Sequence, residues 1–165
     1  MNNKTKKLTV LSLAVTVAML LSYIEFLLPP IFSAVPGIKI GLANIITVFL
    51  LYRLSALEAS LVSLVRVCLS SLLFGSLVTL TYSIFGAIFS MLVMVILKKL
   101  NLFSTVGVSI SGAVFHNVGQ IVAAIILLGT KELGYYMIVL TVTGVLAGIF
   151  VGIAGALMLK HIKRL

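Results

Sequence analysis

What most limits this chain is a series of long apolar runs, several close to 20 residues and separated by short polar stretches. A helix of about 20 residues at 1.5 Å per residue matches the ~30 Å hydrocarbon core of a bilayer. Only 9% of the 165 residues are charged against 62% hydrophobic, and the mean hydropathy is +1.33. A water-soluble domain needs roughly a quarter of its residues charged to cover its surface. A soluble globule is therefore excluded. The reading is an all-α polytopic membrane protein, a six-transmembrane-helix bundle forming one integral membrane domain over residues 1–165.

The six spans are expected at about 8–28, 38–52, 57–74, 76–97, 105–129 and 135–159. The second is short, and the stretch ahead of it is broken by Pro29, Pro30 and Pro36, which reads as a cap or re-entrant loop. Spans three and four meet at Phe74-Gly75-Ser76 without a charge, which implies a tight turn. The first run is too long for a signal peptide and has no small-residue cleavage site after it, so it is expected to be retained.

The net charge of +9 comes from 12 Lys and Arg against three Glu and no Asp. These cations cluster between apolar runs and read as topology signals, not as a nucleic-acid surface. With the amino terminus inside, nine of them fall on the inner side: Lys4, Lys6, Lys7, Arg53, Lys98, Lys99, Lys160, Lys163 and Arg164. Only Lys39 and Lys131 fall outside, and Arg66 lies within a span. Both termini are thus expected in the cytoplasm, with the protein in the cell membrane.

Arg66 is the most informative residue. Nine residues from Leu57 put it about 13 Å deep, near the midplane. A charge there costs about 2.5–3.5 kcal/mol, so it should face the bundle interior and have a partner. That partner is either Glu25 or backbone carbonyls on the one hand, or an anionic ligand on the other, and Glu25 is expected roughly 12 Å nearer the outer surface. In the fifth span His116, Asn117 and Gln120 share a face at mid-depth, forming a binding site, a polar packing joint, or both. Asn44 and Lys39 open the second span, and Tyr82 and Ser83 lie two turns into the fourth, with Thr79, Gly86 and Ser90 on a similar stripe. Together these residues are expected to line one cavity open to the outer surface, with Lys39 and Arg66 making its field positive. The plainer reading has Lys39 snorkelling and Tyr82 filling space.

Two stripes of small residues speak to packing. Gly144, Gly148 and Gly152 make a ridge that lets another helix approach closely. Ala14, Ala18 and Ser22 form a second stripe, either for internal packing or for docking a partner helix.

Equally informative is the chemistry that is missing. No GxxxxGK[ST] phosphate loop, no aspartate pair for magnesium-diphosphate and no nucleophile-base pair occurs. The lone Cys68 forms no disulfide framework, and His161 lies in the tail, away from His116. No enzyme, metal site or cofactor is expected.

The runs Pro36-Gly37-Ile38-Lys39-Ile40-Gly41-Leu42-Ala43-Asn44-Ile45, Ser71-Leu72-Leu73-Phe74-Gly75 and Gly112-Ala113-Val114-Phe115-His116-Asn117-Val118-Gly119-Gln120 resemble those of one membrane family. It is the Gx transporter family, many of whose members carry the name heptaprenyl diphosphate synthase component I. That family in turn resembles the substrate-binding S components of energy-coupling factor (ECF) transporters. The resemblance implies a small six-helix subunit that binds a micronutrient or small metabolite from outside. Its expected partners are a transmembrane T component and two ATPases. In that class an AxxxA motif on the first helix docks the T component, and Ala14 and Ala18 match it. Lys39, Asn44, His116, Asn117 and Gln120 fall in the family's marked runs, whereas Arg66 rests on depth alone. The alternative function is an accessory membrane subunit of an isoprenoid-quinone or redox system, as the synthase name suggests.

Overall fold

The computed structural model describes residues 3–27, 41–129 and 131–162. Six α-helices follow one another: α1 Asn3–Leu27, α2 Asn44–Arg53, α3 Ala56–Phe74, α4 Leu77–Leu100, α5 Thr105–Leu128 and α6 Met137–His161, with a 3-10 turn, Lys131–Tyr136, before the last. Local chemistry sets most of the boundaries. Ser55, Ser76 and Ser104 precede α3, α4 and α5 in extended backbone, and each hydroxyl accepts the amide of the third residue on, Glu58, Thr79 and Gly107. This satisfies a donor that the first helical turn leaves unpaired. Asn101 and Gly129 end α4 and α5 with φ of 54° and 65°, the left-handed conformation that closes a helix.

The expected second span is corrected. Its helix begins at Asn44, six residues later than read, and is only 10 residues long. At 1.5 Å per residue that is about 15 Å, half the hydrocarbon thickness. Among the described residues five helices, not six, are long and apolar enough to cross a membrane. Lys39 and the proline-rich segment lie outside the described residues.

Specific contacts give the helix directions. Lys7 at the start of α1 pairs with Glu58 at the start of α3, while Tyr23 and Phe26 near the end of α1 meet the Phe74 ring at the end of α3. Helices α1 and α3 therefore run parallel, in register at both ends. Lys98 Nζ donates to the Leu51 carbonyl and lies over the Tyr52 ring, so the last turns of α4 and α2 reach the same level. Glycine contacts run antiparallel between α4 and α5, where Gly86 faces His116 and Gly112 faces Ser90 and Met94. The same holds between α5 and α6, where Gly144, Gly148 and Gly152 meet Asn117, Ile110 and Val106. One end of the bundle thus gathers Lys4, Lys6, Lys7, Arg53, Lys98, Lys99 and Lys160.

Burial is inverted relative to a soluble protein. Leu13, Leu20, Leu72, Leu77, Leu92, Ile138 and Leu146 are all more than half exposed, as lipid-facing side chains should be. Short α2 is the hub. Ile46 to Leu51 are buried without interruption, and Val48, Leu50 and Leu51 are at most 1% exposed. A helix apolar on every side belongs in the interior. The glycine ridge serves internal packing: a Cβ at Gly148 would stand 2.5 Å from the Ile110 Cα, so only glycine allows α5 and α6 this close.

The stripe on α1 also turns inward. Ala18 is 2% exposed, and Ala14 packs against the core cluster that includes Val48 and Leu51. Of the pair expected to dock a partner helix, Ala18 is thus covered by the chain's own core and Ala14 is half-buried against it.

Candidate functional site

Arg66 is eight residues from Glu58 at the basic end of α3 and eight from Phe74 at the other, so about 12 Å separates it from either level. At that mid-depth its Nη2 donates to Asn44 Oδ1 at 3.0 Å. Asn44 can meet it because α2 starts there, half-way through the bundle. The turn that launches α2 depends on Gly41, whose φ is +77° and whose Cβ position lies 3.0 Å from Asn44 Nδ2. A side chain there would be strained in backbone and crowded at Asn44. The Gly41 carbonyl accepts the Asn44 amide at 2.8 Å, and the Gly41 amide donates to Glu25 Oε1. Glu25 and Arg66 are thus linked through the start of α2.

Two cavities border this polar chain. The first, about 300 Å³, lies among α1, α3, α4 and α5 and is lined by Ser22, Glu25, Arg66, Ser70, Ser71, Thr79, Ser83 and His116, with Phe26 and Phe74 towards the end opposite the lysines. The second, about 60 Å³, lies among α2, α4, α5 and α6 and is lined by Asn44, Ser90, Ser109, His116, Asn117, Gln120 and Thr143. His116 borders both. Its ring packs on Gly86, where a Cβ would stand 2.8 Å from the imidazole, so the glycine of α4 makes room for the histidine of α5.

Of the residues expected to form a site, Arg66, Asn44, His116, Asn117 and Gln120 line these two cavities. Asn117 also has a packing role, since its Nδ2 donates to the Leu140 carbonyl of α6 at 2.6 Å. Tyr82 is not among the residues lining either cavity, although its stripe-mates Thr79, Ser83 and Ser90 are. On α4 it is rotated about 60° from Thr79, at 100° per residue, whereas Ser83, Gly86 and Ser90 fall within about 40° of it. Lys39 lies outside the described residues. The expectation of a positive field is accordingly altered: among the described residues Arg66 shares the larger cavity with the Glu25 carboxylate.

In the sequence Glu25 stands out only as a partner for Arg66, and Ser22, Ser70, Ser71 and the Gly41 amide do not stand out as site groups. One signal was present. Ser22 continues the stripe of Ala14 and Ala18, so an inward-facing stripe carries Ser22 inward, and Glu25 follows it by three residues on the same face.

With the geometry in hand, comparison with protein families is decisive for descent. The profile described as heptaprenyl diphosphate synthase component I matches residues 14–158. The chain belongs to that family. The matched stretch of the heptaprenyl diphosphate synthase component I family contains every residue that lines the two cavities. Comparisons with curated proteins and with solved structures found no match.

Proposed function

We propose that this chain is the membrane-embedded, S-component-like solute-binding subunit of an importer for a micronutrient or small metabolite. It would cross the membrane six times, with α2 forming only the inner half of the second crossing, and with the lysine-rich end in the cytoplasm with both termini. A transmembrane T component and ATPases would supply the energy, since the chain has no nucleotide-binding loop. One observation carries the reading. In a protein 62% hydrophobic, the linked groups Glu25, Gly41, Asn44 and Arg66 meet His116 and Asn117 around two cavities at mid-depth. Ionisable groups held inside a membrane are costly and characteristically mark solute or ion pathways.

The family description favours a second reading, an accessory membrane component of heptaprenyl diphosphate or quinone-side-chain synthesis. The same polar groups would then receive the head of a prenyl lipid. Affinity purification of the tagged protein from its own membrane, in a lipid-retaining polymer, separates the two. Recovery of a T component with ATPases is the expected result. Recovery of a prenyl-synthase subunit without any ATPase would overturn the importer reading in favour of the second.

A further inference from the structure

On the reading of the chain as a solute-binding subunit, two side chains indicate the chemical class of the solute. Arg66 Nε and Ser22 Oγ are both buried, and neither has a hydrogen-bond partner. Both residues line the larger cavity. Orphaned buried donors are rare in folded proteins, and each one asks for a missing acceptor. Here two of them border one space of about 300 Å³. The guanidinium is held in place, because its Nη2 is committed to Asn44 Oδ1 at 3.0 Å, while its Nε–H is left for another group.

We propose that this cavity binds the carboxylate of a small monocarboxylate solute, one oxygen accepting from Arg66 Nε and the other from the Ser22 hydroxyl. Two donors suit the two oxygens of a carboxylate, and a charged arginine N–H makes a short, strong hydrogen bond to that group. Charge argues against a phosphate. Arg66 and the Glu25 carboxylate line the same cavity, so the described residues contribute one charge of each sign. A monocarboxylate adds a single negative charge, whereas a phosphate dianion adds two beside Glu25, where low dielectric strengthens repulsion. At about 300 Å³ the cavity is at the small end of ligand pockets, which suits a small solute.

The test uses the full-length protein in lipid nanodiscs, labelled with 15N-arginine, with sodium acetate as the carboxylate probe at constant ionic strength. Only Arg53, Arg66 and Arg164 give signals, and Arg66 is assigned by its loss in Arg66→Lys. Acetate should shift the Arg66 Nε resonance saturably and leave Arg53 in place. Ser22→Ala should weaken this binding about tenfold without lowering the melting temperature, because that hydroxyl supports nothing in the unliganded protein. The absence of a saturable shift, or an unchanged response in Ser22→Ala, overturns the site. A shift with inorganic phosphate but not with acetate overturns the carboxylate assignment. If a polar metabolite and ATPases still co-purify while Arg66 ignores acetate, only this site fails. If acetate binds at Arg66 and no energising subunits are ever recovered, the importer reading fails instead.

Discussion

The contact between α5 and α6 offers the sharpest quantitative prediction. Gly148 sits where an added Cβ would lie 2.5 Å from Ile110 Cα and 3.1 Å from the Ser109 carbonyl oxygen. Both neighbours are backbone, so no side chain can swing away. Carbon atoms in favourable contact are about 3.5–4.0 Å apart, so Gly148→Ala must move the helices apart by about 1 Å. Overpacking of this kind costs about 1–3 kcal/mol. For a chain of this length each kcal/mol shifts the melting temperature by about 2–4 °C, so a fall of about 2–12 °C is expected. Gly134→Ala is the control, since nothing lies within 4 Å of its Cβ position. Thermal unfolding of wild type and both variants in one detergent or bicelle decides the matter. A Gly148→Ala protein as stable as wild type, or a Gly134→Ala protein equally destabilised, would refute the close approach of α5 and α6.

Other consequences can be checked in the same preparations. Asn117→Leu removes the hydrogen bond to the Leu140 carbonyl and should cost about 0.6–1.7 kcal/mol in unfolding within lipid, between the average and the largest value for interhelical bonds. Gly41→Ala forces a side chain into a left-handed position and should cost about 1–2 kcal/mol. It should also move the Arg66 Nε resonance of the unliganded protein, because Asn44 is displaced. A double-mutant cycle on Lys7 and Glu58 should give a coupling below about 1 kcal/mol that shrinks with added salt, since the Lys7 side chain is 54% exposed. In a Cys68→Ala background, a cysteine at Leu102 should react with impermeant maleimide only from the cytoplasmic side and one at Tyr135 only from outside. These residues are 78% and 81% exposed in the two opposite connections of the bundle.

Much of the architecture could be read from the chain because apolar run length is a strong signal in a membrane protein. The runs that became α3, α4, α5 and α6 were placed to within a few residues. Helix α1 starts at Asn3, five residues earlier than expected, because Lys4, Lys6 and Lys7 are good helix formers that a search for apolar residues ignores. The length of α2 was not legible. Gly41-Leu42-Ala43 continues the apolar pattern into Ile45, and only the positive φ at Gly41 shows that α2 has not yet begun there. The depth of Arg66 followed from counting residues, yet its partner did not. Asn44 meets it because α2 starts half-way through the bundle, a fact of tertiary structure. Periodicity likewise grouped Tyr82 with Ser83, although neighbours in sequence are about 100° apart on a helix. The alanines of α1 matched a docking motif by spacing, and spacing alone does not say whether a stripe faces inward or outward.

The central claim is that the polar groups around Arg66 exist to hold a small solute. Native mass spectrometry of the protein released from lipid nanodiscs tests it most directly, comparing wild type with Arg66→Gln and with Leu72→Ala, which alters a lipid-facing residue 68% exposed. Wild type and Leu72→Ala should each carry one small polar molecule that Arg66→Gln has lost. Wild-type protein carrying only lipid, or an Arg66→Gln protein that retains the same molecule, would contradict the account.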